Sequence, residues 1–261
     1  MSNIRTEIRD GVGIITIDRR ERMNSLDVDT ARDLRKAGLQ LARDANVRAA
    51  ILRGEGGVFC SGADLKEIRA GEPSFGDGFK QILEYIHSTI SEIRRAPKPF
   101  IAAVDGVAAA GGFGLAMSCD LVVASERAWF EWAYAKTGLT GAESSTFFLP
   151  RLVGLRRAME MLFLNPRLDA RQAMEYGFVT AVYPTETFDD EAFALAQRLA
   201  SGPTEALGIA KNLINDAALM DRLDMHLDRE LDHLARIADG DNFAEGIAAF
   251  FEKRAPAFGA K

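Results

Sequence analysis

Two glycine-rich segments of the sequence carry the groups best suited to chemistry. Val58–Leu65 and Val107–Leu115 each run from an apolar stretch through small residues into a predicted helix. Small residues at such a junction let a ligand approach backbone N–H groups closely, because no bulky side chain covers them. N–H groups at a helix start favour an anion or a developing oxyanion, since they lie at the positive end of the peptide dipoles. Two such groups meeting from separate loops would form an oxyanion hole.

Each segment also has a purely structural interpretation. Gly-Gly and Gly-Ala pairs commonly serve tight turns or the close packing of a helix on a sheet. Three other glycine motifs are absent, namely GxxxxGK[ST], a complete GxGxxG after a strand, and GxSxG. The sequence therefore gives little support to nucleotide binding or to serine hydrolysis.

The histidines and cysteines do not indicate a metal centre or a disulfide scaffold. The sequence contains no HExxH, no CxxC and no EF-hand loop. His226 and His233 are separated by roughly 10 Å along a predicted helix, too far to share one metal ion. Cys60 and Cys119 lie far apart in an acidic, enzyme-sized chain, so a disulfide between them is not expected.

The composition predicts one large folded domain, or one domain with a helical appendix. The chain has 261 residues, of which 48% are hydrophobic and 27% charged, with 23 glycines. This apolar content excludes an intrinsically disordered chain. A net charge of −6 argues against nucleic acid or an anionic membrane as the main partner. Because neither a signal peptide nor an apolar run of about 18 residues is evident, we expect a cytoplasmic protein without membrane contact.

Strands and helices alternate in the first part of the chain, which indicates an α/β fold with a helical C-terminal section. Apolar patterns predict strands at Ile4–Ile8, Val12–Ile17, Ala49–Arg53, Phe100–Val104, Leu121–Ala124 and Trp129–Trp132. Helices are predicted from the Asp27 cap to about Ala45, at Phe79–Arg94 and at Leu115–Ser118. From Leu155 onwards helical patterns dominate apart from the apolar stretch Phe178–Val182, with helices at Phe188–Ala200, Thr204–Leu219, Arg222–Ala238 and Phe243–Phe251.

The two glycine-rich segments resemble signatures of the crotonase (enoyl-CoA hydratase/isomerase) superfamily. Phe59–Leu65 is similar to its FxAGADL signature, and Ala108–Asp120 is similar to its AxGGGxxLAxxCD signature. The resemblance covers nearly the whole chain and continues through Asn24-Ser25-Leu26, Leu149–Gly154, Ala173–Val179 and Phe250–Arg254. Each motif alone is weak, but together and in this order they are highly specific.

The resemblance implies a crotonase-like spiral of ββα repeats that processes acyl-CoA thioesters, as in fatty acid metabolism. Residues 1–200 would form the core with the acyl-CoA site, and residues 201–261 a C-terminal helical trimerisation section. A homotrimer or a dimer of trimers is implied. Coenzyme A would enter as part of the substrate, so no separate cofactor is expected. The oxyanion donors carried over by the motifs are the backbone N–H groups of Ala63 and Gly111.

The resemblance also implies a set of coenzyme A contacts. Arg22 and Lys66 would meet phosphate oxygens, and Phe250 and Lys253 match positions that often reach the adenine end. The residues that we assign to this group are Arg22, Ser25, Ser61, Asp64, Leu65, Lys66, Phe250 and Lys253. Arg22 and Lys66 could equally be solvated charges, and Phe250 could serve helix packing.

The sequence departs from the family pattern at the acid/base positions. In an alignment without gaps, the two glutamates that hydratases use fall on Gly114 and Tyr134, so ordinary hydratase activity is not expected. The position where other family members carry an acid for double-bond isomerisation falls on Ala142, with Glu143 beside it. Glu143 is therefore our candidate general base, although it could instead be a glutamate in the first turn of the next helix.

The dehalogenase branch of the family provides a second comparison. Its catalytic histidine falls on His87, its tryptophan on Tyr134 and its nucleophilic aspartate on Ala142. The nucleophile is thus absent unless Glu143 replaces it. A lone histidine in an amphipathic helix is also commonly a structural group, and Tyr134 could simply line the acyl pocket.

The sequence as a whole favours double-bond isomerisation of an acyl-CoA, with an enolate held by the Ala63 and Gly111 N–H groups and Glu143 as the single acid/base. One alternative is a CoA-thioester hydrolase, dehalogenase-like enzyme or lyase that uses His87, Tyr134 or a different carboxylate such as Glu131. A second alternative is a catalytically weak acyl-CoA-binding subunit. The acyl group cannot be deduced from the sequence, because its pocket would be built from loops.

Overall fold

The computed structural model describes residues 2–71, 74–218 and 220–258. Its strands are β1 (Ile4–Arg9), β2 (Val12–Ile17), β3 (Ala49–Gly54), β4 (Phe100–Val104), β5 (Val107–Ala109), β6 (Leu121–Ser125), β7 (Trp129–Glu131), β8 (Leu168–Asp169) and β9 (Ala181–Tyr183). Its α-helices are α1 (Val28–Arg43), α2 (Leu65–Gly71), α3 (Phe75–Arg95), α4 (Gly111–Ser118), α5 (Ser145–Val153), α6 (Leu155–Leu164), α7 (Ala170–Tyr176), α8 (Phe188–Ala200), α9 (Thr204–Ala217), α10 (Leu223–Ala238) and α11 (Asp241–Glu252). Short 3₁₀ helices lie at Arg20–Arg22, Tyr134–Thr137 and Met220–Arg222.

The strands form two sheets. The larger sheet has the order β1-β2-β3-β4-β6-β9 and is parallel except for the β1–β2 hairpin. Asp10 and Gly11 both have positive φ in its turn, as the Asp-Gly pair predicts. The smaller sheet has the order β5-β7-β8. The chain passes from β4 in the larger sheet to β5 in the smaller one, and the second glycine-rich segment comprises β5 and the start of α4.

Hydrophobic cores cover both faces of the larger sheet. Ile15 and Ile17 belong to the main core, which also contains apolar residues of α1, α3 and α4. Val12 and Ile14, on the opposite face of the same strand, pack with buried residues of α8. Period-two side-chain alternation therefore buries both faces of β2 and accounts for its continuous apolar sequence. The result is a rigid sheet from whose strand ends the glycine-rich segments project.

Several element boundaries differ from those expected from the sequence. The helix predicted at Phe79–Arg94 begins four residues earlier at Phe75, after the Ser74 cap, and the Gly76 N–H donates to Asp239 at 2.8 Å. The helix predicted from Leu115 begins at Gly111. Both helix starts are rich in glycine, which has a low helix propensity. Tertiary contacts override that propensity here.

Other differences lie in the second half of the chain. Helix α5, the helix expected after Glu143, runs from Ser145 to Val153 and accommodates Pro150 in its interior. The apolar stretch Phe178–Val182, which interrupts the helical patterns, overlaps β9 at Ala181–Tyr183. Leu219, the last residue of the helix predicted from Thr204, lies outside the described residues. Within the described ranges, no helix is long and apolar enough to span a membrane.

Candidate active site

The two glycine-rich segments meet in the structure. Cys60 and Ala108 form a parallel bridge, in which the Cys60 N–H donates to Val107 O and the Ala109 N–H donates to Cys60 O. Gly62 has a φ of +95°, and a Cβ at this position would lie 3.1 Å from the Gly111 nitrogen. The first segment therefore turns directly against the start of α4, and only a residue without a side chain fits the turn.

This contact brings Ala63, the residue after Gly62, and Gly111 into one cavity lining. The isolated bridge between Leu26 and Ala63 uses the Leu26 N–H to Gly62 O and the Asp64 N–H to Leu26 O, which leaves the Ala63 N–H unused. Gly111 is the first residue of α4, after Ala110 with a φ of +47°. Neither the Ala63 nor the Gly111 N–H donates to another described residue. The pair has the composition of an oxyanion hole.

A cavity of about 510 Å³ opens over these two donors. It brings together eleven of the thirteen residues predicted for the site, namely Arg22, Ser25, Ser61, Ala63, Asp64, Leu65, Lys66, Gly111, Tyr134, Glu143 and Phe250. His87 and Lys253 do not line it. The sequence did not indicate further walls of the cavity, which include Phe79, Lys136, Leu139 and Leu234. Phe79 and Leu234 lie on apolar helix faces, a pattern that does not distinguish a cavity wall from a core.

Glu143 is buried beside the donor pair. It is 3% exposed, and a Cβ added to Gly111 would lie 2.6 Å from its Oε1. The Tyr134 hydroxyl donates a hydrogen bond to its Oε2. Burial raises the pKa of Glu143 to about 7 against the opposing effect of the Tyr134 hydrogen bond. Glu143 precedes the Ser144 N-cap, so it is not a residue of the first turn of α5.

The position of Glu143 also explains Gly114. A Cβ at Gly114 would overlap the backbone oxygen of Glu143, so no side chain fits at residue 114 beneath this loop. The Tyr134 hydroxyl, which donates to Glu143, has a pKa raised well above its usual value by burial and by the Glu143 charge. Tyr134 is therefore a hydrogen-bond donor near neutral pH.

Two other buried carboxylates line the cavity, and both have cationic partners. Asp64 accepts from the Arg19 guanidinium at 2.6 Å. Glu131 forms an ion pair with Lys136 and accepts from the Asn165 amide at 2.8 Å. Among the buried carboxylates of the described lining, Glu143 alone has no ion pair with Lys or Arg. It is thus the one most available to exchange a proton with a ligand.

Asp64 and Ser25 lie at the cavity, but their polar atoms are engaged within the protein. Arg19 donates to the Ser25 hydroxyl at 3.0 Å and to Asp64, while Asp64 Oδ1 accepts from the N–H groups of Lys66 and Glu67. Burial raises the pKa of Asp64, but Arg19 and the two backbone N–H donors together outweigh it and hold the pKa below its usual value. Arg19 therefore fixes the first glycine-rich segment, a role for which the sequence gives no signal.

The charged residues predicted for the phosphates line the cavity, and Arg22 is only partly exposed. Lys66 is exposed on α2, and Arg22 forms an ion pair with Glu67 at 3.1 Å. Phe250 is 57% exposed at the same cavity. Lys253 is exposed at the end of α11 with a φ of +56°, away from the cavity lining.

His87 lies in the interior of α3 and is not brought to the cavity. It is 8% exposed, and its Nε2 has no hydrogen-bond partner among the described residues. Burial lowers its pKa to about 4, so the ring is neutral near pH 7. No set of three His, Cys, Asp or Glu side chains in the described ranges is arranged to hold a metal ion.

Comparison with known proteins places this site in a family context. The family model for enoyl-CoA hydratase/isomerase matches residues 7–261. The chain is 36% identical to 1,2-epoxyphenylacetyl-CoA isomerase of Escherichia coli, with full coverage of both chains. It is 35% identical to 4-chlorobenzoyl coenzyme A dehalogenase-2 of Arthrobacter sp, over 96% of this chain and 91% of the relative.

Solved structures confirm the expected α/β fold of the crotonase type. An enoyl-CoA hydratase from Mycobacterium avium subsp. paratuberculosis K-10 superposes with a TM-score of 0.89 at 35% identity and full coverage of both chains. An enoyl-CoA hydratase/isomerase from Pseudoalteromonas atlantica T6c gives a TM-score of 0.87 at 28% identity, over 98% of this chain and 100% of that one.

Proposed function

Because this chain belongs to the enoyl-CoA hydratase/isomerase family, we propose that it isomerises an acyl-CoA thioester with Glu143 as its single acid/base. One observation carries the proposal. The carboxylate of Glu143 lies against Gly111, beside the two N–H groups that would hold a thioester oxygen. A base in this place can reach carbon atoms next to the carbonyl group.

Isomerisation of a β,γ-unsaturated thioester removes one proton from the substrate and returns one proton to it. The ionised Glu143 takes a proton from the α carbon, and the C–H electron pair moves onto the thioester oxygen. The Ala63 and Gly111 N–H groups stabilise this enolate, a contribution that is typically worth 10²–10³ in rate for each donor. Protonated Glu143 then returns the proton to the γ carbon, so the double bond moves into conjugation and coenzyme A is retained.

Tyr134 and the buried setting prepare Glu143 for both steps. A pKa of about 7 leaves the carboxyl group partly ionised at neutral pH, where it can act as base and then as acid. The hydrogen bond from Tyr134 stabilises the ionised form and fixes one carboxylate oxygen. Arg22 and Lys66 of the cavity lining provide positive charge for the phosphates of coenzyme A, and Phe250 provides an apolar surface.

The relatives support a reaction of this kind. The similar Escherichia coli protein is named as an isomerase of an aryl-acetyl-CoA epoxide, and two similar Arthrobacter proteins are named as dehalogenases of an aryl-CoA. An aromatic acyl group is therefore a first choice for the substrate panel. The Gly114 and Tyr134 positions make hydration less favoured, because the other buried carboxylates of the described cavity lining, Asp64 and Glu131, are both paired with cations.

The decisive experiment offers a panel of β,γ-unsaturated acyl-CoA thioesters, aliphatic and aryl-substituted, and follows conjugation by absorbance and coenzyme A release by mass spectrometry. We expect a conjugated product of unchanged mass. Glu143→Gln should lower kcat by about 10³-fold or more with little change in thioester binding. Glu131→Gln, a second carboxylate of the lining, is the matched control. If Glu143→Gln leaves turnover unchanged, Glu143 is not the base. If the wild-type protein binds thioesters without any turnover, the chain is a binding subunit.

A second candidate, nucleophilic displacement by Glu143, is favoured by the likeness to the dehalogenases. The carboxylate would attack a halogenated ring carbon, expel halide and form an aryl ester that water then cleaves. Halide release from 4-chlorobenzoyl-CoA, lost in Glu143→Gln, would support it. Absence of halide release from 4-chlorobenzoyl-CoA, in a preparation that isomerises β,γ-unsaturated thioesters, would exclude it.

A further inference from the structure

A buried carboxylate outside the cavity contacts the segment that carries Glu143. Glu230 on α10 is 5% exposed and does not belong to the cavity lining. Its Oε2 accepts from the Ser144 N–H at 2.8 Å, and its Oε1 accepts from the Thr146 N–H at 3.0 Å. The Thr146 hydroxyl donates to the same Oε1. One side chain thus receives three donors from the start of α5.

These contacts replace a cap that α5 does not make for itself. Ser144 has a φ of +62° and its side chain makes no capping hydrogen bond. Glu143, immediately before it, has a φ of +48°. Two consecutive non-glycine residues in the left-handed region are costly and persist only where their surroundings hold them. A carboxylate that binds the free N–H groups at a helix start supplies such a restraint.

The sequence around Glu230 supports a specific role. Leu223, Leu227 and Leu234 of α10 are buried, and Glu230 lies on the same helix face as these three. A charged residue on a buried stripe is expensive unless it is hydrogen-bonded. His226 contributes the remaining contact, with its Nε2 at 3.5 Å from Glu230 Oε1.

We propose that Glu230 is a positioning residue whose carboxylate holds the Glu143–Ser144 turn, so that the Glu143 carboxylate faces the donor pair beside Gly111. This inference rests on the proposed function, since Glu143 is the group being positioned. Glu230 itself touches no reacting atom. Its effect reaches the chemistry through the backbone of residues 144 and 146.

The charges around this pair give the proposal an electrostatic signature. Glu143 faces Tyr134, the Cys60 thiol and Glu230, while Glu230 faces His226 on its own helix and His87 on α3. Burial raises the pKa of Glu143 to about 7, the Tyr134 hydrogen bond opposes that rise and the Glu230 charge adds to it. Cys60 and His87 are neutral near pH 7, because burial raises the pKa of the thiol to about 12 and lowers that of the imidazole to about 4.

The test follows exchange of the α protons of butyryl-CoA in deuterated water, by mass spectrometry and across pH, with the full chain. In Glu230→Gln the amide oxygen can still accept from one of the two N–H groups, of Ser144 or Thr146. The NH₂ group then faces the other N–H, which loses its acceptor. We expect the plateau exchange rate to fall about tenfold or more, because a small misplacement of a catalytic group is costly. The acid limb of the profile should move to lower pH, because a negative charge near Glu143 is lost.

A second readout reports the turn directly. Backbone hydrogen–deuterium exchange of a peptide covering residues 143–148 should be faster in Glu230→Gln. Asp232→Asn, an exposed residue of the same helix with the same change of charge, should alter neither readout. Glu230→Asp, which keeps the charge on a shorter side chain, should lower the plateau while leaving the acid limb in place.

The outcomes separate this inference from the proposed function. A wild-type protein that exchanges no α proton of butyryl-CoA and turns over no thioester of the unsaturated panel would overturn the proposed function, and backbone exchange at residues 143–148 would still decide the role of Glu230. If Glu230→Gln matches wild type in plateau, acid limb and backbone exchange, the positioning role is wrong. Should Glu230→Gln fail to fold, the same measurements on Glu230→Asp decide, and wild-type values there would contradict the proposal.

Discussion

At the scale of single residues, the proposed chemistry depends on one carboxyl group and the hydroxyl bound to it. Glu143 is held away from water, which raises its pKa to about 7, and Tyr134 donates to it from a neighbouring 3₁₀ helix. Other buried carboxylates of the cavity are neutralised by Arg19 and Lys136. Buried carboxylates of one cavity therefore differ in their availability for proton transfer, and the difference is set by their partners.

Removal of the Tyr134 hydroxyl should shift the pH profile of isomerisation. The hydrogen bond lowers the pKa of Glu143, so Tyr134→Phe should raise that pKa and leave less ionised base at a given pH. We expect the acid limb to move to higher pH and the rate near pH 6 to fall about tenfold, with a smaller loss at pH 9. Initial rates across pH check this, with Tyr183→Phe on β9 as control. An acid limb that stays in place or moves to lower pH would contradict it.

At the scale of elements, the donor pair exists because two strand exits approach at backbone distance. Gly62 turns against Gly111, and Gly112 packs on the carbonyl of Cys60. Ala110, between the second exit and α4, adopts a positive φ that directs the chain into the helix. Each exit has its own partner. Arg19 binds Asp64 in the first exit, and β7 pairs with β5 in the second.

A methyl group at Gly112 should therefore separate the two exits. Its Cβ would overlap the Cys60 carbonyl, so Gly112→Ala should lower the free energy of unfolding by about 1–3 kcal/mol. Isomerisation should fall by at least about 10²-fold because the two donors no longer converge. Gly71→Ala is the matched control, since a Cβ there meets nothing within 4 Å. Thermal unfolding and steady-state rates report both effects, and wild-type values for Gly112→Ala would refute this account of the site.

At the scale of the whole molecule, apolar side chains remain on the surface of the second half of the chain. Phe163 and Leu164 of α6 are each 74% exposed, and Leu213 and Ile214 of α9 are 64% and 68% exposed. Apolar surfaces of this kind commonly mark contacts with another protein. They agree with the trimer, or pair of trimers, that the family resemblance implies.

We therefore expect a trimer or a hexamer in solution. Light scattering coupled to size-exclusion chromatography measures the mass directly. Phe163→Asp should shift the population towards smaller species, because a charge would be buried at the contact. Lys36→Asp, which places an acidic residue on the exposed face of α1, should leave the mass unchanged. A wild-type chain of monomer mass at micromolar concentration would contradict the prediction.

The sequence alone indicated the α/β class and two glycine-rich segments at strand exits, and the family resemblance implied Ala63 and Gly111 as the donors within them. These features are local along the chain, since glycine turns, strand patterns and helix starts depend on neighbouring residues. It also indicated Glu143, but not whether its carboxylate faces the donors. Helix starts at Phe75 and Gly111 were missed, because glycine propensity favours a loop there while tertiary contacts stabilise a helix.

Only the tertiary structure decided which side chains share the site and which do not. Glu230 binds Ser144 across 86 residues of sequence, and Arg19 binds Asp64 across 45. His87, on the predicted helix, turns into the interior instead of the cavity. Contacts of this kind depend on how whole elements pack, and neither residue type nor spacing fixes that packing. The local pattern therefore indicated where backbone donors could lie, while the contacts around Glu143, such as the one between Glu230 and Ser144, join elements far apart in the sequence.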